Sequence, residues 1–179
     1  MSQTALTYRD YAALPDDGRR YEIHDGELSV TPAPTPKHQT ISIRLAVALF
    51  PRATAAGGML YQAPLDVILG DTTIVQPDIV YVAPDRLGRI SGRGIEGAPT
   101  LAVEILSPST RIVDRVTKTR LYARHGVPFL WLIDPNARTI EAFVLERDRY
   151  ALALTATGSD PVDLPPFAGL PLVPDALWP

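Results

Sequence analysis

The segment TLAVEIL at residues 100–106 decides the fold, because it has the pattern of a strand that is apolar on both faces apart from Glu104. A predicted helix follows from Ser107 to His125. A second apolar run, FLWLI at residues 129–133, comes directly after it. The order strand, helix, strand predicts a right-handed crossover between two parallel strands.

The elements around this unit are predicted from turn residues and periodicity. Asp25-Gly26 readily adopts the positive φ angles of a tight turn, which predicts a hairpin between strands 21–24 and 27–30. Residues 41–49 fit either a strand or one helical face, and their length and alanines favour a helix. The remaining predicted elements are a helix from Thr7 to Leu14, strands Met59–Gln62, Leu65–Leu69 and Ile79–Val82 arranged as an antiparallel meander, and strands Thr139–Leu145 and Tyr150–Leu154.

Composition predicts one globular domain of the α/β (α+β) class, with a mixed central sheet flanked by helices. The chain has 179 residues, of which 46% are hydrophobic, and it has no long linker. We therefore expect a single domain over residues 1–179, with 155–179 as a proline-rich surface segment. The absence of cysteine excludes thiolate-bound metals, and with no apolar stretch long enough for a bilayer we expect a cytoplasmic protein.

The net charge of −3 argues against nonspecific coating of nucleic acid, which needs a basic surface. Contact with DNA would require a local basic patch. Two segments are candidates, the loop 85–94 and the arginine-rich run 111–124. A solvated charged face is the ordinary interpretation of either segment alone.

Three residues form the candidate site. An ionised Glu104 in an apolar strand costs several kcal/mol unless a metal ion or a structural ion pair compensates it. Asp78 begins another apolar run, a position where aspartate is usually only a turn residue. Lys118 lies on the following helix, which is able to carry it over the end of the Glu104 strand. It shares one stripe with Arg111, Asp114, Tyr122 and His125, and a solvated face explains that stripe equally well.

Together these residues supply what phosphodiester hydrolysis requires. Asp78 and Glu104, with the backbone carbonyl of Ile105, offer oxygen ligands for a hard divalent cation. Lys118 offers an ammonium that orients the attacking water or helps to deprotonate it, and that adds positive charge at the transition state.

The chain resembles the putative restriction endonuclease family of the PD-(D/E)XK nuclease superfamily, over roughly Tyr8 to Leu145. The resemblance is specific because several motifs recur in order. They are YEIHDGEL at 21–28, QPDI at 76–79, VEILSPST at 103–110, DRVTK at 114–118, the segment 122–127 and WLIDP at 131–135.

This resemblance implies a restriction-endonuclease-like core and Mg²⁺-dependent cleavage of DNA, with Mn²⁺ as a substitute. By position, Asp78 matches the aspartate of the motif and Glu104 its second acid. Leu106 stands where a lysine is usual, and Lys118 takes that role. Glu22 matches an early acid that helps to bind or orient the metal, with an exposed strand residue as its alternative.

Two other functions remain open at this stage. One is a noncatalytic DNA-binding or protein-interaction module on the same fold. The other is a glycoside hydrolase that uses Asp78 and Glu104 as acid and base. A homodimer is expected if both strands of a duplex are cut, and none of the three histidines is assigned a role in the chemistry.

Overall fold

The computed structural model describes residues 5–169 and 171–179. Within this range the strands form two six-stranded sheets and a two-stranded pair. The first sheet has the order β2-β1-β5-β4-β8-β7, and the second has the order β12-β11-β10-β9-β6-β3. The strands are β1 Arg20–His24, β2 Glu27–Thr31, β3 Met59–Gln62, β4 Val67–Gly70, β5 Thr73–Val75, β6 Ile79–Val82, β7 Ile90–Ser91, β8 Gly94–Glu96, β9 Leu101–Ile105, β10 Phe129–Asp134, β11 Thr139–Glu146, β12 Arg149–Ala156, β13 Val162–Asp163 and β14 Pro171–Leu172.

The predicted hairpin and the long helix are both confirmed. Asp25 and Gly26 have φ angles of 53° and 85°, so this dipeptide forms the turn between β1 and β2. Helix α2 spans Pro36–Ala55, longer than predicted, because Thr35 caps it and Pro36 is compatible with its first turn. The first helix, α1, begins after Thr7 as predicted but covers only Tyr8–Tyr11.

The predicted meander of the strands near residues 59–82 is wrong. Strand β3 pairs with β6 in the second sheet, whereas β4 pairs with β5 in the first. Strand β5 was not predicted, and its three residues are too few to show a periodic pattern. The chain crosses from the first sheet to the second at Gln76-Pro77-Asp78, between β5 and β6.

The crossover unit has the predicted parallel pairing, but its helix is not a regular α-helix. Strands β9 and β10 pair in parallel, with Glu104 opposite Leu132. Between them, Val113–Lys118 forms a π-helical turn, which continues into α3, Thr119–Arg124. Gly126 has a φ of 75° and ends the helix as predicted.

Part of the proline-rich segment is buried, which the sequence did not predict. Leu164, Phe167, Leu177 and Trp178 are buried and belong to the same apolar cluster as Trp131. The apolar side chains between the prolines cover one face of the second sheet, because that face would otherwise be exposed to water. Within the described residues no helix is long and apolar enough to cross a membrane.

Candidate active site

Asp78 and Glu104 lie on neighbouring strands of the second sheet. The backbone N–H of Asp78 donates to the carbonyl of Val103 at 3.0 Å, and the pairing continues between Ile79 and Val103. The backbone N–H of Ile105 then donates to Asp78 Oδ2 at 2.8 Å. The pairing therefore holds the two acids close together at one end of the strand pair β6 and β9, as the sequence led us to expect.

Lys118 lies among several carboxylates, as the helix was expected to allow. Its Nζ atom is 2.9 Å from Glu22 Oε1, 3.2 Å from Glu104 Oε1 and 3.5 Å from Asp114 Oδ1. The side chain is only 5% exposed. Although burial alone would lower the pKa of Lys118, the carboxylates of Glu104, Glu22 and Asp114 raise it above its usual value.

One stripe of the helix that includes the π-helical turn is buried at this position. Asp114, Lys118 and Tyr122 are all buried. The apolar residues Ile112 and Val116 are instead 79% and 64% exposed. The polar stripe therefore faces the protein interior, and its interpretation as a solvated face is wrong for these three residues.

Glu22 comes from the first sheet and is buried, so its alternative as an exposed strand residue is excluded. It is 1% exposed, and its Oε1 accepts the backbone N–H of Gln76 at 2.6 Å. His24 Nε2 lies 3.2 Å from Glu22 Oε2. Burial would raise the pKa of Glu22, but Lys118, His24 and the Gln76 amide together lower it to about 2.

Glu104 has the opposite electrostatic environment. Burial raises its pKa well above the ordinary value, and the carboxylates of Asp114, Asp78 and Glu22 raise it further, while Lys118 opposes them. The hydroxyl of Tyr122 donates to Glu104 Oε1. Glu104 is thus a carboxyl group whose ionisation its surroundings disfavour.

Sequence reasoning missed two side chains that contact Asp78. Nε2 of His38 lies 3.2 Å from Asp78 Oδ2, and Arg20 Nη1 lies 3.3 Å from Asp78 Oδ1. Burial would raise the pKa of Asp78, but His38, Arg20 and the Ile105 N–H lower it. His38 is in the first turn of α2, and nothing in its sequence context indicates that the fold brings it to Asp78.

The donor set fits a magnesium ion. In the part of the chain that the structure describes, no three His, Asp or Glu side chains are grouped ready to hold a metal. Mg²⁺ usually keeps several waters and needs only one or two carboxylates. The carboxylates of Glu22, Asp78, Glu104 and Asp114 outnumber the fixed cations that contact them, Arg20 and Lys118, which leaves excess negative charge for a cation to balance.

A cavity of about 420 Å³ opens onto these groups. Its lining includes Glu22, Asp78, Glu104 and Lys118. Ser107 and the adjoining loop form another part of its wall, as does the segment between β2 and α2. The acids and the ammonium therefore border a cavity although each side chain is almost fully buried.

Most arginines of the two basic segments, the loop 85–94 and the run 111–124, make contacts within the protein. In the loop, Arg86 and Arg89 donate to backbone carbonyls of Ala98 and Pro99, and Arg93 pairs with Glu96. In the second run the arginines pair with acids. These pairs are Arg111 with Asp134, Arg115 with Glu141, and both Arg120 and Arg124 with Asp25.

Comparison with models of known protein families shows which family the chain belongs to. A family model named Uma2, described as "Putative restriction endonuclease", matches residues 8–173. The chain belongs to the Uma2 family. The resemblance found in the motifs is thereby confirmed, and the family description is that of a nuclease.

Two individual proteins are similar to this Uma2 protein over most of its length. An uncharacterized protein of Synechocystis sp. (strain ATCC 27184 / PCC 6803 / Kazusa) is 28% identical over 162 residues, which are 89% of this chain and 83% of that protein. A crystal structure from Anabaena variabilis ATCC 29413, titled as a putative nuclease belonging to DUF820, has a TM-score of 0.79 and 23% identity. The structural match covers 96% of this chain and 97% of the Anabaena chain. The predicted fold is therefore confirmed.

Proposed function

We propose that this Uma2 protein is an endonuclease that hydrolyses DNA phosphodiester bonds with Mg²⁺. The observation that carries the proposal is the buried Lys118 ammonium, 2.9 Å from Glu22 and 3.2 Å from Glu104, in the cavity that Asp78 also lines. Two acids on paired strands beside a lysine supply metal ligands and a fixed positive charge.

Asp78 and Glu104, with the backbone carbonyl of Ile105, would hold the ion. When bound, Mg²⁺ would lower the pKa of a water ligand and offset negative charge on the phosphate. Glu22 restrains Lys118, because the two groups form an ion pair at 2.9 Å and both side chains are buried. His38 and Arg20 hold the Asp78 carboxylate in place through its two oxygens.

In this proposal Lys118 acts on the attacking water. Its ammonium donates to that water to orient it, and adds positive charge where the phosphorane oxygens gain negative charge. The Tyr122 hydroxyl contacts Glu104, and Lys118 Nζ contacts both of its carboxylate oxygens. These contacts restrict the rotation of the Glu104 side chain. The site is thus preorganised before the substrate arrives.

A homodimer acting in the cytoplasm is the setting we propose for this activity. Cutting both strands of a duplex takes two active sites, and a chain without cysteine suits a reducing compartment. Light scattering of the purified protein, with and without duplex DNA, measures the oligomeric state, and a monomer under both conditions would contradict the dimer.

Cleavage of DNA by the wild type and by Lys118→Met tests the proposal. Supercoiled, linear, single-stranded and branched DNA are incubated with Mg²⁺ or Mn²⁺, and product is measured over time. Methionine keeps the apolar stem of the side chain and removes the ammonium. Lys37→Met is a matched control, since the chain has only these two lysines and Lys37 contacts the carbonyl of Pro135.

We expect cleavage by the wild type and by Lys37→Met, and a loss of about 100-fold or more in Lys118→Met. Equal cleavage by all three proteins would point to a contaminating nuclease or to a different lysine role. No cleavage by any of them, together with no binding of Mg²⁺ in calorimetry, would favour the noncatalytic module on the same fold.

A further inference from the structure

A second cavity lies beside the catalytic one. Its volume is about 420 Å³, within the range of roughly 300–1,000 Å³ that is typical of ligand sites. We call it the side pocket. Its walls include Tyr11, Tyr61, Asp66, Gln76 and Arg93.

Gln76 connects the side pocket to the catalytic site. Its Nε2 donates to Asp66 Oδ1 at 2.8 Å, and its Oε1 accepts from Arg20, which also contacts Asp78. Only Pro77 lies between Gln76 and Asp78, so the Cα atoms of these two residues are at most about 7 Å apart.

A third cavity, of about 180 Å³, shares lining residues with each of the other two. Pro64 lines both this cavity and the side pocket. Arg20 and Asp78 line both this cavity and the catalytic one. The three cavities therefore lie in series, from the catalytic carboxylates past Arg20 and Pro64 to the side pocket.

Asp66 has a hydrogen-bonding site left for a ligand. The Tyr11 hydroxyl donates to Asp66 Oδ1 at 2.6 Å, and Gln76 donates to the same oxygen. Among the described residues both side-chain donors use Oδ1, so Oδ2 remains as an acceptor on a residue that lines the side pocket. A carboxylate oxygen in such a position is able to accept a hydrogen bond from the exocyclic amino group of cytosine.

The other lining groups fit the rest of a nucleotide. Tyr61 packs against an apolar cluster that contains residues of both sheets, and it also lines the side pocket. An aromatic face stacks on any base. Arg93 is 53% exposed and pairs with Glu96. Because exposed ion pairs are weak, this guanidinium is able to exchange its carboxylate partner for a phosphate.

We propose that the side pocket binds an unpaired base of the substrate strand, close to the scissile phosphate, and prefers cytosine through Asp66. The proposal rests on the proposed function, since it takes a DNA strand as the substrate. It assigns base selectivity to the pocket beside Gln76 and not to the metal site.

Fluorescence anisotropy with end-labelled oligo(dC) and oligo(dT) in EDTA tests the side pocket without requiring hydrolysis. We expect the wild type to bind oligo(dC) about tenfold more tightly than oligo(dT). In Asp66→Asn the amide can still accept from Tyr11 and Gln76, but presents N–H groups to the ligand. It should lose this preference or reverse it toward oligo(dT), whose bases offer a carbonyl oxygen.

Two further variants separate base recognition from structural damage. Asp148→Asn removes an acid that is 83% exposed in the turn before β12, and should retain the preference of the wild type. Tyr61→Leu keeps an apolar side chain against the core but removes the stacking face. It should weaken binding of both oligonucleotides about equally, by roughly tenfold.

Equal affinity of the wild type for oligo(dC) and oligo(dT) would overturn the proposal. So would an unchanged preference in Asp66→Asn that retains the circular dichroism of the wild type. Binding of free dCMP as tight as that of oligo(dC) would overturn the assignment to a strand. Absence of DNA cleavage alongside an intact cytosine preference would overturn the nuclease and not the pocket, whereas cleavage without any preference would overturn the pocket alone.

Discussion

Replacing Glu104 by glutamine should stabilise the metal-free protein. The carboxylates of Glu22, Asp78, Glu104 and Asp114 exceed the charges of Arg20 and Lys118 by two when the histidines are neutral, and the variant reduces that excess to one. Glutamine has nearly the same shape and still accepts a hydrogen bond from Tyr122. We expect the free energy of unfolding to rise by about 1–2 kcal/mol. For a chain of this length that raises Tm by roughly 2–8 °C.

Thermal unfolding in EDTA at pH 8 measures this effect, with Glu27→Gln as an exposed control that should stay within about 0.5 kcal/mol of the wild type. The pH dependence has a definite sign. Since folding raises the pKa of Glu104, the native state binds more protons than the unfolded state above the ordinary carboxyl pKa, and wild-type stability from this group falls as pH rises. The gain in Glu104→Gln should therefore shrink as pH is lowered from 8 toward 5.

The opposite sign would refute this reasoning. If Glu104 is chiefly the structural partner of Lys118, removal of its charge leaves a buried ammonium less compensated. Breaking a buried ion pair costs about 3–5 kcal/mol. A marked loss of stability in EDTA would thus assign Glu104 to the structural ion pair that the sequence left open. Calorimetry with Mg²⁺ on the same variant then shows whether ion binding is also lost.

Three further outcomes follow from the structure. Asp78→Ala should abolish Mg²⁺ binding in calorimetry while Lys118→Ala retains it, and normal binding by the aspartate variant would exclude it as a ligand. Deletion of Val116 should convert the π-helical turn to α-helix and lower the cleavage rate about 100-fold or more with unchanged circular dichroism, whereas Val116→Ala should leave the rate unaltered. Trp178→Ala should cost about 3–5 kcal/mol in urea unfolding because its side chain is buried, and a negligible cost would place it at the surface.

Local sequence patterns predicted the elements that depend on local chemistry. Asp25-Gly26 identified the hairpin because few other pairs tolerate two positive φ angles. The parallel pair β9 and β10 followed from two apolar runs separated by a helix. Asp78, Glu104 and Lys118 were also placed together correctly, although their roles in metal binding and catalysis stay predictions.

The remaining features depend on contacts between distant parts of the chain. A polar helical stripe normally faces water, but Asp114 and Lys118 face other buried charges, and periodicity does not distinguish the two environments. A π-helical turn leaves no signal in residue spacing. His38 reaches Asp78 because α2 packs beside β6 and β9, which no local pattern reveals.

The chain crosses between the sheets at Gln76-Pro77-Asp78, so the geometry of the site depends on how the two sheets are aligned. Glu22 belongs to the first sheet, while Glu104 belongs to the second, and Lys118 touches both. A sliding displacement of one sheet against the other would change the separation of these acids before it broke any strand pairing. On gentle heating, activity should therefore be lost before secondary structure. The proposed chemistry depends on the relative position of the two sheets and not on either sheet alone.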